Sequence, residues 1–478
     1  MAEQADVDVW APGWRLVELI RAREVSPVEV VTAYLDRIDR LEPMLRAFMA
    51  TVPERALDEA RAAEAAVIRG DDVGPLHGLP IAVKDNLYTA GITTTGGSAV
   101  YRDFVPDHDS IAVERIRAAG GIIVGKTHMP EFAAFPRTVN RLRDECMNPW
   151  DTTRVTGASS GGSGAAVAAA MVPMALGTDG GGSTRIPAAL CGTFGLQPSP
   201  GVVPAWGRVG YVRFSGIGPM TRDVRDGARL LGVIAGPDPR DPSSDGIVPP
   251  DYEARLDEGV EGLRMAWLDD LGEFRADPAV VGVASDAAAA LGGAGVAIDR
   301  PEVRFEGLWE ILIAISQGAH LYGGAPPGAV HLPEVREVAF DPERRHLLAP
   351  HTLASFDAPP PSRERYEAAL ALQAKAKATL AGLFERYDAI LTPTMPVVAP
   401  PAPDDPWANP FSSTEYYTSL TSLVNTAQVT GATVPCGFVD GLPVGLQVMA
   451  PAGAELTVLQ VCRAMERVRP WAGDRPPL

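Results

Sequence analysis

Cysteine is scarce in this sequence: only Cys146, Cys191, Cys436 and Cys462 occur among 478 residues, with no Cys-x-x-Cys spacing. That excludes a zinc knuckle and a disulfide framework, and it makes a reducing cytoplasm the expected setting. Positive charge is also in deficit, with 42 Lys and Arg against 60 Asp and Glu and a net charge of −18. Such a balance repels nucleic acid and anionic membrane surfaces, so neither is an expected partner. Long apolar runs are missing as well. The longest nearly apolar stretch, residues 165–176, is interrupted by Pro173 and is too short to span a bilayer. The opening Met1-Ala2-Glu3-Gln4-Ala5-Asp6 lacks the basic and apolar regions of a signal peptide. Histidine, finally, occurs only seven times.

What is present is the material of an ordinary globular protein, 46% hydrophobic and 21% charged, enough for one large or two intimate domains. Apolar residues recur at helical spacing across 16–49, where Ser26-Pro27-Val28-Glu29 reads as a capping box with proline at the first helical position. From residue 79 the texture changes to short apolar runs parted by glycine: Ile81-Ala82-Val83, Ile122-Ile123-Val124 and Val172-Pro173-Met174-Ala175-Leu176. These read as buried strands alternating with helices such as 110–119, which predicts an α/β fold with a layered sheet. Loop-rich stretches at 237–251, 323–333 and 357–361 bracket a variable helical segment. Helix returns at 365–387, followed by a strand at 389–392, a proline-rich stretch at 393–406, a strand at 444–448 and a helix at 456–468.

Two glycine-rich, serine-rich turns stand out: Gly157-Ala158-Ser159-Ser160-Gly161-Gly162-Ser163 and Asp179-Gly180-Gly181-Gly182-Ser183. Consecutive glycines beside a serine let backbone N–H groups crowd around one point, as an oxyanion hole requires. Ser183 is therefore the best nucleophile candidate, with the N–H groups of Gly180, Gly181, Gly182 and Ser183 as candidate donors; a strand-to-helix turn needing glycine for backbone reasons alone is the rival. Ser159 fits the nucleophile-elbow pattern G-x-S-x-G, but that fold needs an acid and then a histidine downstream, and no histidine lies near the C-terminus. No G-K-[ST] follows, so the turn is not a P-loop. The nearest histidine is His128, and the serine's base must come from elsewhere. Lys84, at the end of Ile81-Ala82-Val83-Lys84-Asp85, emerges from a buried strand. At an ordinary pKa of about 10.4 roughly one lysine in 2,500 is neutral at pH 7, so burial would have to make it a base. The rival is a structural Lys84–Asp85 pair.

Taken together, these three segments resemble the amidase signature family, whose Ser-cisSer-Lys triad falls here on Ser183, Ser159 and Lys84. The likeness extends through Gly125-Lys126-Thr127-His128-Met129-Pro130-Glu131-Phe132, Asn148-Pro149-Trp150-Asp151, Ser183-Thr184-Arg185-Ile186-Pro187-Ala188 and Asp440-Gly441-Leu442-Pro443-Val444-Gly445-Leu446-Gln447, covering roughly 13–235 and 380–471. Ala158, Gly180 and His128 depart from the family pattern, and the extra glycine bears on how firm the oxyanion hole is. The resemblance implies one amidase domain over 1–478, a central mixed β-sheet with helices on both faces. N-terminal helices occupy 13–75, the signature core 76–235, the helical insertion 237–365, and the completing strands and helices 366–478.

It further implies a cofactor-independent, metal-free hydrolase in which neutral Lys84 takes a proton through Ser159 as Ser183 attacks a carbonyl, forming an acyl-enzyme. The family's cis peptide falls at Ala158–Ser159. Asp179 and Arg185 are expected to brace the nucleophile turn, Ser160 and Ser163 to support it, and Met129, Trp206, Arg208, Tyr211 and Phe214 to line the substrate pocket. The leading expectation is hydrolysis of small aryl or alkyl amides or oligoamides, with carbamates (urethanes) within reach. The alternatives are the glutaminase A subunit of a tRNA-dependent amidotransferase, against which residues 416–431 lack the acidic group such proteins use, and a catalytically silent binding protein. Family members are often homodimers, so a homodimer is a candidate assembly.

Overall fold

A computed structural model describes residues 7–210, 214–326 and 328–478. The chain opens with helices Gly13–Arg21, Pro27–Leu45 and Pro53–Arg69. The second starts with the capping box expected from its sequence. Ser26 Oγ accepts the Glu29 N–H at 3.1 Å, and Glu29 Oε2 accepts the Ser26 N–H at 2.8 Å, so two of the orphan donors at the helix start are satisfied reciprocally.

The strands are, in chain order, β1 (Phe48–Thr51), β2 (Pro80–Lys84), β3 (Ile122–Thr127), β4 (Met147–Asn148), β5 (Asp151–Val155), β6 (Met174–Asp179), β7 (Phe194–Gln197), β8 (Gly216–Thr221), β9 (Arg264–Trp267), β10 (Ala297–Asp299), β11 (Ala389–Pro393), β12 (Thr430–Val439) and β13 (Leu442–Ala450). Strands β4 and β5 form a separate hairpin, and the other eleven make one sheet in the order β1-β3-β2-β6-β8-β7-β12-β13-β11-β9-β10. It is mixed. Strand β2 runs parallel to β3 and β6, and β9 parallel to β10 and β11, while the remaining pairs are antiparallel. Strand β6 begins two residues later than its apolar run suggests and continues through Gly177 and Thr178 to Asp179. Those residues read as turn formers, yet pairing to β8 on one side holds them extended. The strand therefore feeds directly into the glycine turn.

Alternation along the strands sends side chains into two separate cores. Ile81 and Val83 of β2 pack in the larger one with Leu16, Val113 and Leu230, while Ala82 packs on the opposite face with Val31, Ala56 and Ala165. Period two places Lys84 on the same face as Ala82, the face covered by helix Gly161–Ala168. A third apolar cluster, around Ile390, Met449, Leu312 and Leu380, joins the C-terminal strands to helices Leu308–Tyr322, Arg363–Phe384 and Ser422–Ala427. The 237–365 segment supplies helices Pro278–Ala290, Leu308–Tyr322, Pro333–Phe340 and Pro350–Asp357, and in addition β9 and β10, which extend the sheet beyond β11. Those strands have four and three residues, too few for a period-two signal to emerge from sequence. Among the described residues no helix is long and apolar enough to cross a membrane.

Candidate active site

Strand β2 delivers Lys84 to the start of helix Gly161–Ala168, where the first glycine-rich turn arrives with Ser159 and Ser160. Lys84 is fully buried, and its Nζ lies 2.7 Å from Ser159 Oγ, 2.8 Å from Ser160 Oγ and 3.2 Å from the Thr178 carbonyl oxygen. Burial pushes the Lys84 amine well below the ordinary lysine range, against the opposing pull of the Asp179 carboxylate. The neighbouring Asp85 faces elsewhere. Its carboxylate accepts the Thr95 N–H at 3.1 Å and the Thr95 hydroxyl, so a Lys84–Asp85 pair is not formed. A second buried lysine, Lys126, is taken up by the Leu87 carbonyl and by Thr89 and Thr94 Oγ1, fastening the loop that follows Lys84.

In the neutral form of Lys84, the hydrogen bonds around it dictate where its lone pair points. Ser160 Oγ accepts the Thr178 N–H at 3.3 Å and donates to the Thr178 carbonyl at 3.2 Å, so its remaining lone pair accepts from Lys84. The Thr178 carbonyl can only accept. A neutral amine has two N–H groups, which these two acceptors consume, and its lone pair is left facing the Ser159 hydroxyl. In that form the amine faces the Ser159 hydroxyl as an acceptor. Among the described residues no histidine hydrogen-bonds to Ser159 or Ser183. His128 is buried with Nδ1 on the Arg46 carbonyl, and burial pushes its pKa down to about 3.

Ser159 follows a cis peptide, Ala158–Ser159. The phenol of Tyr417 holds Ala158 from both sides, accepting its N–H at 2.6 Å and donating to its C=O at 2.8 Å. The two serine turns are tied together by the Ser160 N–H, which donates to the Ser183 carbonyl at 3.0 Å. Ser163 does not reach Lys84; its hydroxyl joins Thr127 Oγ1 at 2.6 Å and the Leu176 carbonyl at 3.0 Å, linking β3 to β6.

Ser183, Gly180 and Gly181 are partly exposed in a neighbourhood that is otherwise buried, so the second turn is where this cluster meets solvent. Behind it Asp179 and Arg185 form a fully buried bidentate ion pair, Nε to Oδ2 at 2.9 Å and Nη2 to Oδ1 at 3.0 Å. The other guanidinium donors reach the Thr421 carbonyl, Gln447 Oε1 and Asn425 Oδ1, which uses all five. Burial works to raise the Asp179 carboxyl, yet Arg185, Asn425 and the Gly182 N–H together hold it below the usual carboxylate range. This last contact, at 2.6 Å, corrects the expected oxyanion hole: the Gly182 N–H is committed to Asp179. The N–H groups of Gly180, Gly181 and Ser183 remain as candidate donors.

Of the expected pocket residues, Trp206, Arg208 and Phe214 line a common cavity of about 620 Å³. Met129 does not; it is fully buried, and its carbonyl accepts from Asn140 Nδ2 at 2.9 Å. Tyr211 lies outside the described residues. Four participants were not read from the sequence: Tyr417, Thr421, Asn425 and Gln447. Gln447 did carry a signal, since a glutamine inside an apolar strand must find a buried partner.

Comparison with known proteins places the fold and the family. The Amidase family model matches residues 29–459. The A subunit of a glutamyl-tRNA(Gln) amidotransferase from Synechococcus sp. (strain JA-2-3B'a(2-13)) is 38% identical over 476 residues, 95% of this chain and 91% of that protein. A 6-aminohexanoate cyclic dimer hydrolase, solved in complex with substrate, superposes with a TM-score of 0.84 at 27% identity over 98% of this chain and 99% of its own. The glutamyl-tRNA(Gln) amidotransferase A subunit of Thermotoga maritima superposes with a TM-score of 0.78 at 30% identity over 98% and 96%.

Proposed function

This chain belongs to the amidase signature family of C–N hydrolases, and from that premise we propose that it cleaves amides through an acyl-enzyme on Ser183. Lys84 takes the Ser159 proton, Ser159 takes the Ser183 proton, and Ser183 Oγ bonds to the carbonyl carbon. The oxyanion is met by N–H groups of Gly180, Gly181 and Ser183, each such donor typically contributing about 3 kcal/mol in the transition state. The proton returns through Ser159 to the departing amine as the C–N bond breaks, and water then hydrolyses the ester. The observation that carries this reading is the buried Lys84 amine 2.7 Å from Ser159 Oγ, with both its N–H groups otherwise engaged. Ser160, Asp179 and Arg185 position the two turns.

Two readings of the amide have support of their own. The glutaminase A subunit of a tRNA-dependent amidotransferase has the wider support, since relatives 38% identical over nearly the whole of both chains carry the amidotransferase name. It would act in an assembly with other proteins. A freestanding hydrolase of small aryl or alkyl amides or oligoamides, with carbamates also accessible, draws on local observations. Leu312 lies over Gly181, an apolar side chain beside the nucleophile turn, and residues 416–431 contain no carboxylate to hold glutamine. Assaying the purified chain against glutamine, anilides, aliphatic amides and aryl carbamates with amine detection separates them. Ammonia from glutamine alone, strengthened by a copurifying partner, selects the amidotransferase reading, whereas turnover of anilides without glutamine turnover selects the hydrolase.

A further inference from the structure

Helices Leu308–Tyr322, Pro333–Phe340 and Pro350–Asp357 meet around a cavity of about 360 Å³ that shares no lining residue with the Ser183 cluster. Each of the first two helices gives it one face. Gln317, His320 and Leu321 come from the first at i, i+3 and i+4, and Arg336 and Phe340 from the second at i and i+4. His331 enters from the turn between them, and Ser355 and Phe356 stand on the third helix. The volume falls within the range of small-molecule sites, about 300–1,000 Å³. Leu312, the residue over Gly181, lies about 12 Å from His320 along the axis of their shared helix, so the cavity is set apart from the nucleophile turn.

Its walls carry two kinds of chemistry. Leu321 and Phe340 are 44% and 64% exposed beside Phe356 and Pro359-Pro360-Pro361, which leaves apolar surface for a ligand to cover. The other groups are nitrogen bases. The His320 and His331 rings stand 4.2 Å apart between centroids, and the Arg336 guanidinium lies over the Phe340 ring at 5.7 Å. No carboxylate is among the described lining residues, and Arg336 has no ion-pair partner among the described residues. The side chains outside the described set after residue 6 are Tyr211, Val212, Arg213, Pro327 and Val330, none of them acidic. Burial and then Arg336 hold His320 below the ordinary histidine range, and burial, His320 and Arg336 do the same to His331, with no acidic group acting on either. In a chain of net charge −18, a cleft edged by three nitrogen bases without a carboxylate is complementary to an anion, and its walls call for an apolar body on that anion.

We propose that this cavity binds a carboxylate with an aryl or alkyl tail, the carboxylate on Arg336 beside the two imidazoles and the tail against Phe340, Phe356 and the proline run. The claim concerns binding and does not depend on which amide Ser183 cleaves.

Titrating 3-phenylpropionate into the full chain labelled with 13C-histidine tests it by NMR. The His320 and His331 resonances, assigned through His320→Gln and His331→Gln, should shift with one common Kd. Their apparent pKa values should rise, because a neighbouring anion favours the imidazolium form. 3-Phenylpropan-1-ol, which lacks the charge, and acetate, which lacks the tail, should each bind about tenfold more weakly or worse. Arg336→Gln should weaken 3-phenylpropionate about tenfold, the size expected for a charge-assisted hydrogen bond, and Arg336→Lys, which keeps the charge, should fall between that variant and wild type. The absence of a shift at these two histidines, an alcohol that binds as tightly as the acid, or an affinity unchanged in Arg336→Gln overturns the proposal. So does a shift that disappears once Ser183 carries a fluorophosphonate adduct, since the ligand would then sit at the catalytic turn.

Discussion

Replacing Lys84 by methionine should abolish turnover and yet make the protein more stable at pH 7. An ordinary lysine deprotonated at pH 7 stands about 4 to 5 kcal/mol above its charged form. The native fold bears that cost if Lys84 is neutral, the direction in which its burial pushes it. Lys84→Met removes the cost. It also removes the Nζ contacts to Ser159, Ser160 and the Thr178 carbonyl. Ser160 and Thr178 keep each other, so the main loss is an unpartnered Ser159 hydroxyl, about 1–3 kcal/mol. The net gain is about 2–3 kcal/mol, or about 2–3 °C in Tm for 478 residues at roughly 1 °C per kcal/mol.

The sign of the pH dependence is fixed by proton counting. Between the depressed native pKa of Lys84 and about 10.4, the unfolded chain binds more protons than the native one, so wild-type stability gains about 1.4 kcal/mol per pH unit from this group as pH rises. The variant has no such term. Melting both proteins at pH 7, 8, 9 and 10 should therefore show the variant's advantage shrinking and then reversing. A variant no more stable than wild type at pH 7, together with a pH-independent difference, would refute a neutral Lys84.

Tyr417→Phe leaves the buried N–H and C=O of Ala158 without partners and should cost about 2–4 kcal/mol in denaturant melts. It should also lower kcat more than it raises KM, because Ser159 is the next residue. Arg185→Lys cannot reproduce the bidentate contact with Asp179 and should cost about 3–5 kcal/mol. Leu312→Ala removes the side chain that lies over Gly181, where an added Cβ would be 3.1 Å from Leu312 Cδ2. The ratio of kcat/KM for phenylacetanilide over acetanilide should rise, and an unchanged ratio would remove Leu312 from the acyl wall.

The local chemistry was legible because it is written in contiguous motifs. A lysine ending an apolar strand and serines embedded in glycine runs are visible without knowing what they touch, and a layered α/β sheet followed from short apolar runs alternating with helices, while its mixed strand directions came only with the family resemblance. The supports were not legible. Tyr417, Thr421 and Asn425 reach the serine turns from more than 230 residues away, on two short helices and the turn between them, whose sequences have no motif of their own. The commitment of the Gly182 N–H to Asp179 depends on which way one peptide faces, and neighbouring glycines leave that open. Strands β9 and β10 escaped for a different reason: they lie at a sheet edge and are too short to show a pattern.

The central claim is that Ser183 attacks while Ser159 only relays the proton. Labelling the protein with a fluorophosphonate probe and mapping the adduct by peptide mass spectrometry tests this directly. The adduct is expected on Ser183, and labelling should vanish in Ser183→Ala. An adduct on Ser159, with labelling that persists in Ser183→Ala and is lost in Ser159→Ala, would contradict the account.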